Sequence, residues 1–148
     1  MTGFSTSIVI RVSPARVFSF LADPSTARVI DPAIVSYEPD GGTMGLGVHN
    51  RIRLRMLGIP MQVVSETTVW KPDALMVFRS IKPAKPVVTL ATHSFEAHPD
   101  GTTYTWSMEF VPTGFGGRLV ATVAARMFER NARVQQQRVR AELERAAV

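Results

Sequence analysis

The sequence contains no cysteine. Disulfide bonds, thiolate catalysis and cysteine-ligated zinc are therefore excluded, and nothing indicates an oxidising compartment. Long hydrophobic runs are also missing: the longest, Leu119 to Ala125, includes a threonine and falls far short of the roughly 20 residues that a membrane-spanning helix needs. Met1 to Ser7 lacks the basic and apolar regions of a signal peptide. We therefore expect a cytoplasmic protein.

Length and charge describe one globular domain with a basic end. The 148 residues are 45% hydrophobic and 20% charged, and we expect a single domain over residues 1–148. Of the net charge of +5, residues 113–148 supply +4, from seven Arg, no Lys and three Glu. Such a surface is suited to nucleic acid or an anionic membrane. The interleaved Glu129, Glu142 and Glu144 favour a solvated face instead, so nucleic acid is not an expected partner.

Proline is absent from Thr113 to Val148, and glycine is absent after Gly117. Because good helix formers dominate this stretch, it predicts one helix over about Phe115 to Ala147. Its apolar residues form two flanks, one of Leu119, Val120, Val123, Met127, Val134 and Ala141, the other of Ala121, Ala125, Phe128, Ala132, Val139, Leu143 and Ala146. This arc is wider than the usual stripe of about 100°. We therefore expect the helix to lie inside a curved surface.

A polar line interrupts that apolar arc: Asn131, Gln135, Arg138 and Glu142. One explanation is that the last turns extend past the sheet into solvent, since seven strands span only roughly 34 Å. The alternative is that Asn131 and Gln135 face an internal cavity and orient a ligand.

Strands joined by short turns precede the helix. Alternation predicts strands at 4–12, 34–38, 48–56, 61–70, 75–81, 87–97 and 102–111. Ser13-Pro14 predicts a short helix to about Ala22, followed by a second through Ile30. With no helix between Ala33 and Pro112, the sheet must be antiparallel, which predicts an α+β fold. The inward side of 61–70 and 75–81 stays ambiguous, with Met76, Phe78 and Ser80 favoured inward in the latter.

One long helix and two short ones should not fill the concave face of such a sheet. The remaining volume is expected to be an apolar pocket with a few polar groups. Its predicted apolar lining is Ile52, Leu54, Phe78, Tyr104, Trp106, Met108 and Met127. Its predicted polar anchors are Asn50, His93, Asn131 and Gln135.

The sequence contains little that supports a metal site, a phosphate-binding loop or a catalytic nucleophile. His49, His93 and His98 lack metal-ligand spacing, the glycine-rich stretch 41–47 precedes a strand rather than a helix, and no G-x-S-x-G motif occurs. We expect no metal and no cofactor. Only His93 is predicted to face inward, either as a satisfied core residue or as an acid/base group in a pocket. Asp31 and Glu66 stand out among apolar neighbours, and Arg79 is a candidate partner for either.

Several motifs occur in a characteristic order. They are Ile8-x-Ile10-x-x-Ser13-Pro14-x-x-Val17-Phe18-x-Phe20-Leu21-x-Asp23-Pro24, Gly45-x-Gly47 before a strand, Asp100-Gly101-Thr102-x-Tyr104-Thr105, and Pro112-x-Gly114 before an Arg-rich helix. Together they resemble the START/Bet v1-like superfamily, and more narrowly its polyketide cyclase/dehydrase and lipid-transport group. The resemblance implies a helix-grip fold, in which a curved seven-stranded antiparallel sheet wraps around the C-terminal helix and encloses a hydrophobic cavity.

The resemblance also implies a function. Members bind lipids, sterols, hormones or polyketides, and some catalyse cyclisation or dehydration. The favoured hypothesis is a binding protein for a small hydrophobic ligand, and the alternative is a cyclase/dehydrase-type enzyme with His93 as its candidate acid/base. A third hypothesis is an interaction module that uses the arginine face. The group has no shared catalytic motif, so the catalytic residue stays unknown, and a homodimer is left open.

Overall fold

A computed structural model describes residues 2–146. Its strands are β1 (Thr2–Ile10), β2 (Ile34–Pro39), β3 (His49–Met56), β4 (Ile59–Lys71), β5 (Leu75–Lys82), β6 (Val87–His98) and β7 (Gly101–Pro112). Its α-helices are α1 (Pro14–Ala22), α2 (Ala27–Ile30) and α3 (Gly117–Ala146), and single 3₁₀ turns lie at Pro24–Thr26 and Asp40–Gly42.

The strands form one seven-stranded antiparallel sheet in the order β1-β7-β6-β5-β4-β3-β2. Consecutive strands from β2 to β7 are neighbours, while β1 pairs with β7. The predicted helix-grip fold is therefore confirmed, with short helices after β1 and a long helix at the end. Strand β4 begins earlier than predicted, because the β3–β4 turn consists only of Leu57 and Gly58, both at positive φ as a two-residue hairpin requires.

Bulges explain why alternation left β4 ambiguous. Strand β4 pairs Thr67 with Phe78 but Val69 with Val77, so Thr68 is an extra residue in the ladder. Such a bulge shifts which side chains face inward. Thr67 and Trp70 therefore point to the same face although they are three residues apart. In β5 the prediction that Met76, Phe78 and Ser80 face inward is correct, since Met76 and Ser80 are buried and all three border the internal cavity.

Helix α3 packs mainly on β1 and β7, which lie toward one edge of the sheet. Its buried residues form one stripe: Gly117, Ala121, Ala125, Ala132, Gln136, Val139 and Leu143. Small side chains allow the helix to approach the strands closely. At Gly117 the approach is closest, because a Cβ there would lie 2.6 Å from the carbonyl oxygen of Pro86. The second predicted flank of the helix, which contains these alanines, is therefore the one that meets the sheet.

The first predicted flank does not pack against the sheet. Leu119 is 71% exposed, Val123 is 51% exposed, and Val134 and Ala141 are also exposed. The physical reason is that α3 lies over β1 and β7 rather than along the middle of the concavity, so only one flank contacts strands. The helix begins at Gly117 rather than Phe115, whose side chain is fully exposed. The predicted end at Ala147 lies outside the described residues.

Gln136 links α3 to the sheet through hydrogen bonds in the core. It is 2% exposed, and its Oε1 accepts a 2.7 Å hydrogen bond from the hydroxyl of Thr6. Its Nε2 donates to the carbonyl oxygens of Thr6, at 3.0 Å, and Tyr104, at 3.4 Å. A buried amide with both ends satisfied fixes the rotation and height of the helix over β1 and β7. Gln136 was not predicted to be buried, because among the three consecutive glutamines only Gln135 was assigned to the polar line within the apolar arc.

Candidate ligand-binding cavity

A cavity of about 470 Å³ lies between the concave face of the sheet, α3 and the short helices after β1. It exists because α3 covers the β1–β7 side, while the inner faces of β3, β4 and β5 extend beyond it. The side chains around it are mostly apolar. Its size and apolar lining are those of a site for a small organic molecule.

Eight of the eleven predicted pocket residues border this cavity. They are Ile52, Leu54, Phe78, His93, Tyr104, Trp106, Met108 and Gln135. All but Gln135 come from strands: those on β3, β6 and β7 follow a regular alternation, whereas Phe78 on β5 was only the favoured inward choice in a strand of ambiguous facing. Gln135 borders the cavity from α3, but Asn131, the other residue that the cavity alternative placed there, does not.

The other three predicted residues do not border the cavity. Asn50 is completely buried, with its amide turned toward Val48, Ser65 and Thr67. Asn131 is exposed, and Met127 is half-buried on the outer side of the same flank. Each step of four residues turns a helix by about 400°, so Asn131 and then Met127 lie progressively farther around from the sheet than Gln135.

Much of the remaining lining was not among the predicted pocket residues, although Met76 and Ser80 were predicted to face inward. The additional residues include Ile30 and Asp31 at α2, Tyr37 and Met44 near β2, Met56, Met61, Val63 and Ser65 on the β3–β4 hairpin, Met76, Ser80, Thr89, Ala91 and Phe110 on later strands, and Val120, Ala124 and Phe128 on α3. The lining residues on β4 were not predicted because the bulges in that strand disrupt the alternation of inward and outward side chains. Those near α2 and β2, apart from Asp31, had no usable signal in the sequence, because loops bring them over the sheet.

His93 and Tyr104 form a polar pair in the wall of the cavity. Nδ1 of His93 lies 2.7 Å from the hydroxyl oxygen of Tyr104, and the two rings are stacked. The edge of Phe78 and the indole of Trp106 also contact the imidazole. Burial lowers the pKa of His93 to about 4 and raises the pKa of Tyr104, so both groups are neutral at pH 7. A neutral imidazole can accept or donate one proton here.

Asp31 and Gln135 form a second polar pair. Nε2 of Gln135 donates a 2.9 Å hydrogen bond to Oδ2 of Asp31, and Oδ1 of Asp31 accepts from the backbone N–H of Ala33 at 2.9 Å. The pair links α3 to the segment between α2 and β2 beside the cavity. Nearby, burial raises the pKa of Tyr37, whose hydroxyl is therefore protonated at neutral pH.

Glu66 lies away from this cavity. Its carboxylate is 3.9 Å from Nη2 of Arg79 and 3.9 Å from Nε2 of His49, all on partly exposed side chains. Arg79 is thus paired with Glu66 rather than with Asp31. Within residues 2–146 no group of three or more His, Asp or Glu side chains is arranged to hold a metal ion. No helix in that same range has the length and apolar character to cross a membrane.

Residues 1–144 match the family described as "Polyketide cyclase / dehydrase and lipid transport". The chain belongs to this family. The match spans nearly all of the sequence and agrees with the resemblance inferred from its motifs. No protein of curated function matches the chain in sequence.

Three solved structures illustrate the similarity of fold. The Zhui aromatase/cyclase from Streptomyces sp. R1128 is 17% identical with a TM-score of 0.82, over 99% of this chain and 95% of that one. The di-domain ARO/CYC StfQ from the steffimycin biosynthetic pathway is 12% identical with a TM-score of 0.82, over 99% of this chain and 52% of that one. Ara h 8.0201 is 15% identical with a TM-score of 0.68, over 93% and 97%. At these identities the likeness shows the fold.

Proposed function

We propose that the protein binds a small hydrophobic ligand, such as a lipid, a sterol or a polyketide-like molecule, in the cavity between the sheet and α3. The observation that supports this most strongly is the cavity itself, because a domain of this size normally packs its interior to a density that leaves no such volume. Membership of a family that includes lipid transport proteins points in the same direction.

The contacts suggest how such a ligand is held. Phe78, Trp106 and Met108 offer flat and flexible apolar surface on the sheet side, and Phe128 offers it from α3. Burying apolar ligand surface against them is favourable by about 25 cal/mol per Å². Within each of the pairs His93–Tyr104 and Asp31–Gln135 the two side chains hydrogen-bond to each other. The ligand therefore does not have to replace these hydrogen bonds.

Filling the cavity with a side chain tests the proposal. Ala91 borders the cavity on β6, while its neighbour Thr92 does not. We expect Ala91→Phe to weaken binding of a fluorescent fatty acid at least tenfold, and Thr92→Phe to leave it unchanged, with thermal unfolding recorded for both. Mass spectrometry of a co-purified small molecule would identify the class of ligand. Equal binding by the two variants, or no binding by the wild type, would contradict the proposal.

Catalysis is the second candidate function, and the position of His93 favours it. The imidazole borders the cavity, and its Nε2 makes no hydrogen bond to any residue among 2–146. If Nδ1 carries the proton and donates it to Tyr104, Nε2 is a free base facing an apolar substrate. Such a base could remove a proton next to a ketone, as cyclisation and dehydration require.

The two candidates are distinguished by one variant. His93→Gln preserves a hydrogen-bonding group of similar size but cannot act as a base. If the protein is an enzyme, His93→Gln should abolish turnover of a synthetic linear polyketide while binding persists. Turnover that is unchanged by this substitution would remove His93 from the mechanism, and no turnover by the wild type would leave ligand binding as the function.

A further inference from the structure

Four small polar side chains cross the concave face of the sheet in one line. Asn50 on β3 pairs with Ser65 on β4, Ser65 pairs with Ser80 on β5, and Ser80 hydrogen-bonds the backbone of Thr89 on β6. We call these four residues the polar row. With neighbouring strands about 4.8 Å apart, it spans roughly 14 Å. Ser65, Ser80 and Thr89 border the cavity.

The rows on either side are largely apolar. Toward the β3–β4 turn, the next inward pair on those strands is Ile52 and Val63. In the other direction, Phe78 on β5 pairs with Ala91 on β6. Buried hydroxyl groups in a largely apolar wall reduce stability unless they donate hydrogen bonds. A buried donor without an acceptor costs about 1–3 kcal/mol.

Protein atoms use the hydroxyl oxygens of Ser65 and Ser80 as acceptors but leave the hydroxyl protons of the polar row free. Oγ of Ser65 lies 3.4 Å from Nδ2 of Asn50, and Oγ of Ser80 accepts a 2.7 Å bond from the N–H of Thr89. No hydroxyl of Ser65, Ser80 or Thr89 donates to another of the described residues. Behind them, Oδ1 of Asn50 is buried without a partner within that same part of the chain. The row thus presents unused donors to the cavity.

We infer that the polar row is a subsite that binds a carbonyl oxygen of an otherwise apolar ligand. Hydroxyl donors call for an acceptor, which a hydrocarbon lacks and a ketone, quinone or ester supplies. A neutral acceptor fits better than a carboxylate, because the single Lys or Arg among the described lining residues is Lys85, whose side chain is exposed. This inference rests on the proposed binding function and adds to it where on the wall the ligand's oxygen lies.

Two probes of the same shape test it. Fluorene and 9-fluorenone share three fused rings and differ in a CH₂ group against a carbonyl. Equilibrium dialysis with each gives the ratio of their dissociation constants, which cancels binding energy common to both. For the double variant Ser65→Ala/Ser80→Ala we expect the preference for fluorenone, relative to fluorene, to fall about 5-fold for each hydrogen bond lost.

Two further variants keep the result interpretable. Thr89→Val removes the hydroxyl without changing the shape of the side chain and should reduce the preference in the same direction. Ser107→Ala, on the outer face of the sheet, should leave it unchanged. If the wild type binds both probes but the ratio is the same in all variants, the subsite is wrong and the binding proposal stands. If the wild type binds neither probe, both are overturned.

Discussion

The Nδ1 atom of His93 on β6 lies 2.7 Å from the hydroxyl oxygen of Tyr104 on β7, in the wall of the cavity. The two residues are diagonal neighbours, since His93 pairs with Trp106 and Tyr104 pairs with Phe95. This geometry places an imidazole, which can take up a proton, in the wall of the cavity among aromatic rings. It also makes the protonation of His93 a direct probe of the interior.

The pKa of His93 predicts how stability depends on pH. Because burial lowers its pKa from 6.5 to about 4, the unfolded chain binds a proton that the folded protein does not bind between these values. We expect the free energy of unfolding to be highest above pH 6.5 and to fall as the pH decreases toward 4, by about 1.4 kcal/mol for each pKa unit.

Urea denaturation of wild type and His93→Gln across this pH range measures that effect. The variant should lose this part of the pH dependence and otherwise unfold like the wild type. NMR titration of the imidazole gives the same pKa independently. A His93 that titrates near 6.5, with identical pH slopes for the two proteins, would show that the ring is solvated.

Gln136 should contribute strongly to stability. Replacing it with Ala leaves the hydroxyl of Thr6 without its acceptor in the core and opens space under α3. We expect a loss of roughly 2–3 kcal/mol in the free energy of unfolding. Gln137→Ala, at the next and exposed position, should change it by less than about 0.5 kcal/mol. Equal effects would mean that the helix is not held by this amide.

The two apolar flanks of α3 should respond differently to substitution. Ala121 is fully buried against the sheet, so Ala121→Leu should overpack the contact and cost about 1–3 kcal/mol. Leu119→Ala, on the exposed flank, should be within about 0.5 kcal/mol of wild type. Thermal unfolding of the two variants decides the point. The reverse order would place the other flank against the strands.

The link between Asp31 and Gln135 should affect how long a ligand stays bound. Removing the amide in Gln135→Ala frees α3 from the segment between α2 and β2, so we expect faster release of a fluorescent fatty acid in a stopped-flow chase. Asn131→Ala, one turn away and exposed, is the matched control and should release it at the wild-type rate. Identical rates for all three proteins would show that this link does not limit release.

Local patterns in the sequence were sufficient to predict most of the architecture. The alternation of Tyr104, Trp106, Met108 and Phe110, and the proline-free stretch after Thr113, depend on neighbours a few residues apart. Such signals specify strand and helix directly, and short turns between strands leave little choice but an antiparallel sheet. For the same reason Ile52 and Leu54 could be assigned to the inner face before any fold was known, whereas the facing of Phe78 on the less regular β5 was left open, with the inward side favoured.

Long-range packing decided the rest. The helix carries two apolar flanks, and nothing within it tells which one meets β1 and β7; that choice depends on the close fit of Ala121, Ala125 and Ala132 and on Gln136 reaching Thr6. Thr68 shifts the facing of β4 through a bulge that exists only when β5 is paired beside it. Asn50 and Asn131 were predicted as pocket residues because each shares a face with apolar neighbours. The face on which a residue lies does not determine whether its side chain reaches the cavity. The curvature of the sheet and the position of the helix over one side of it determine which inward side chains reach the cavity.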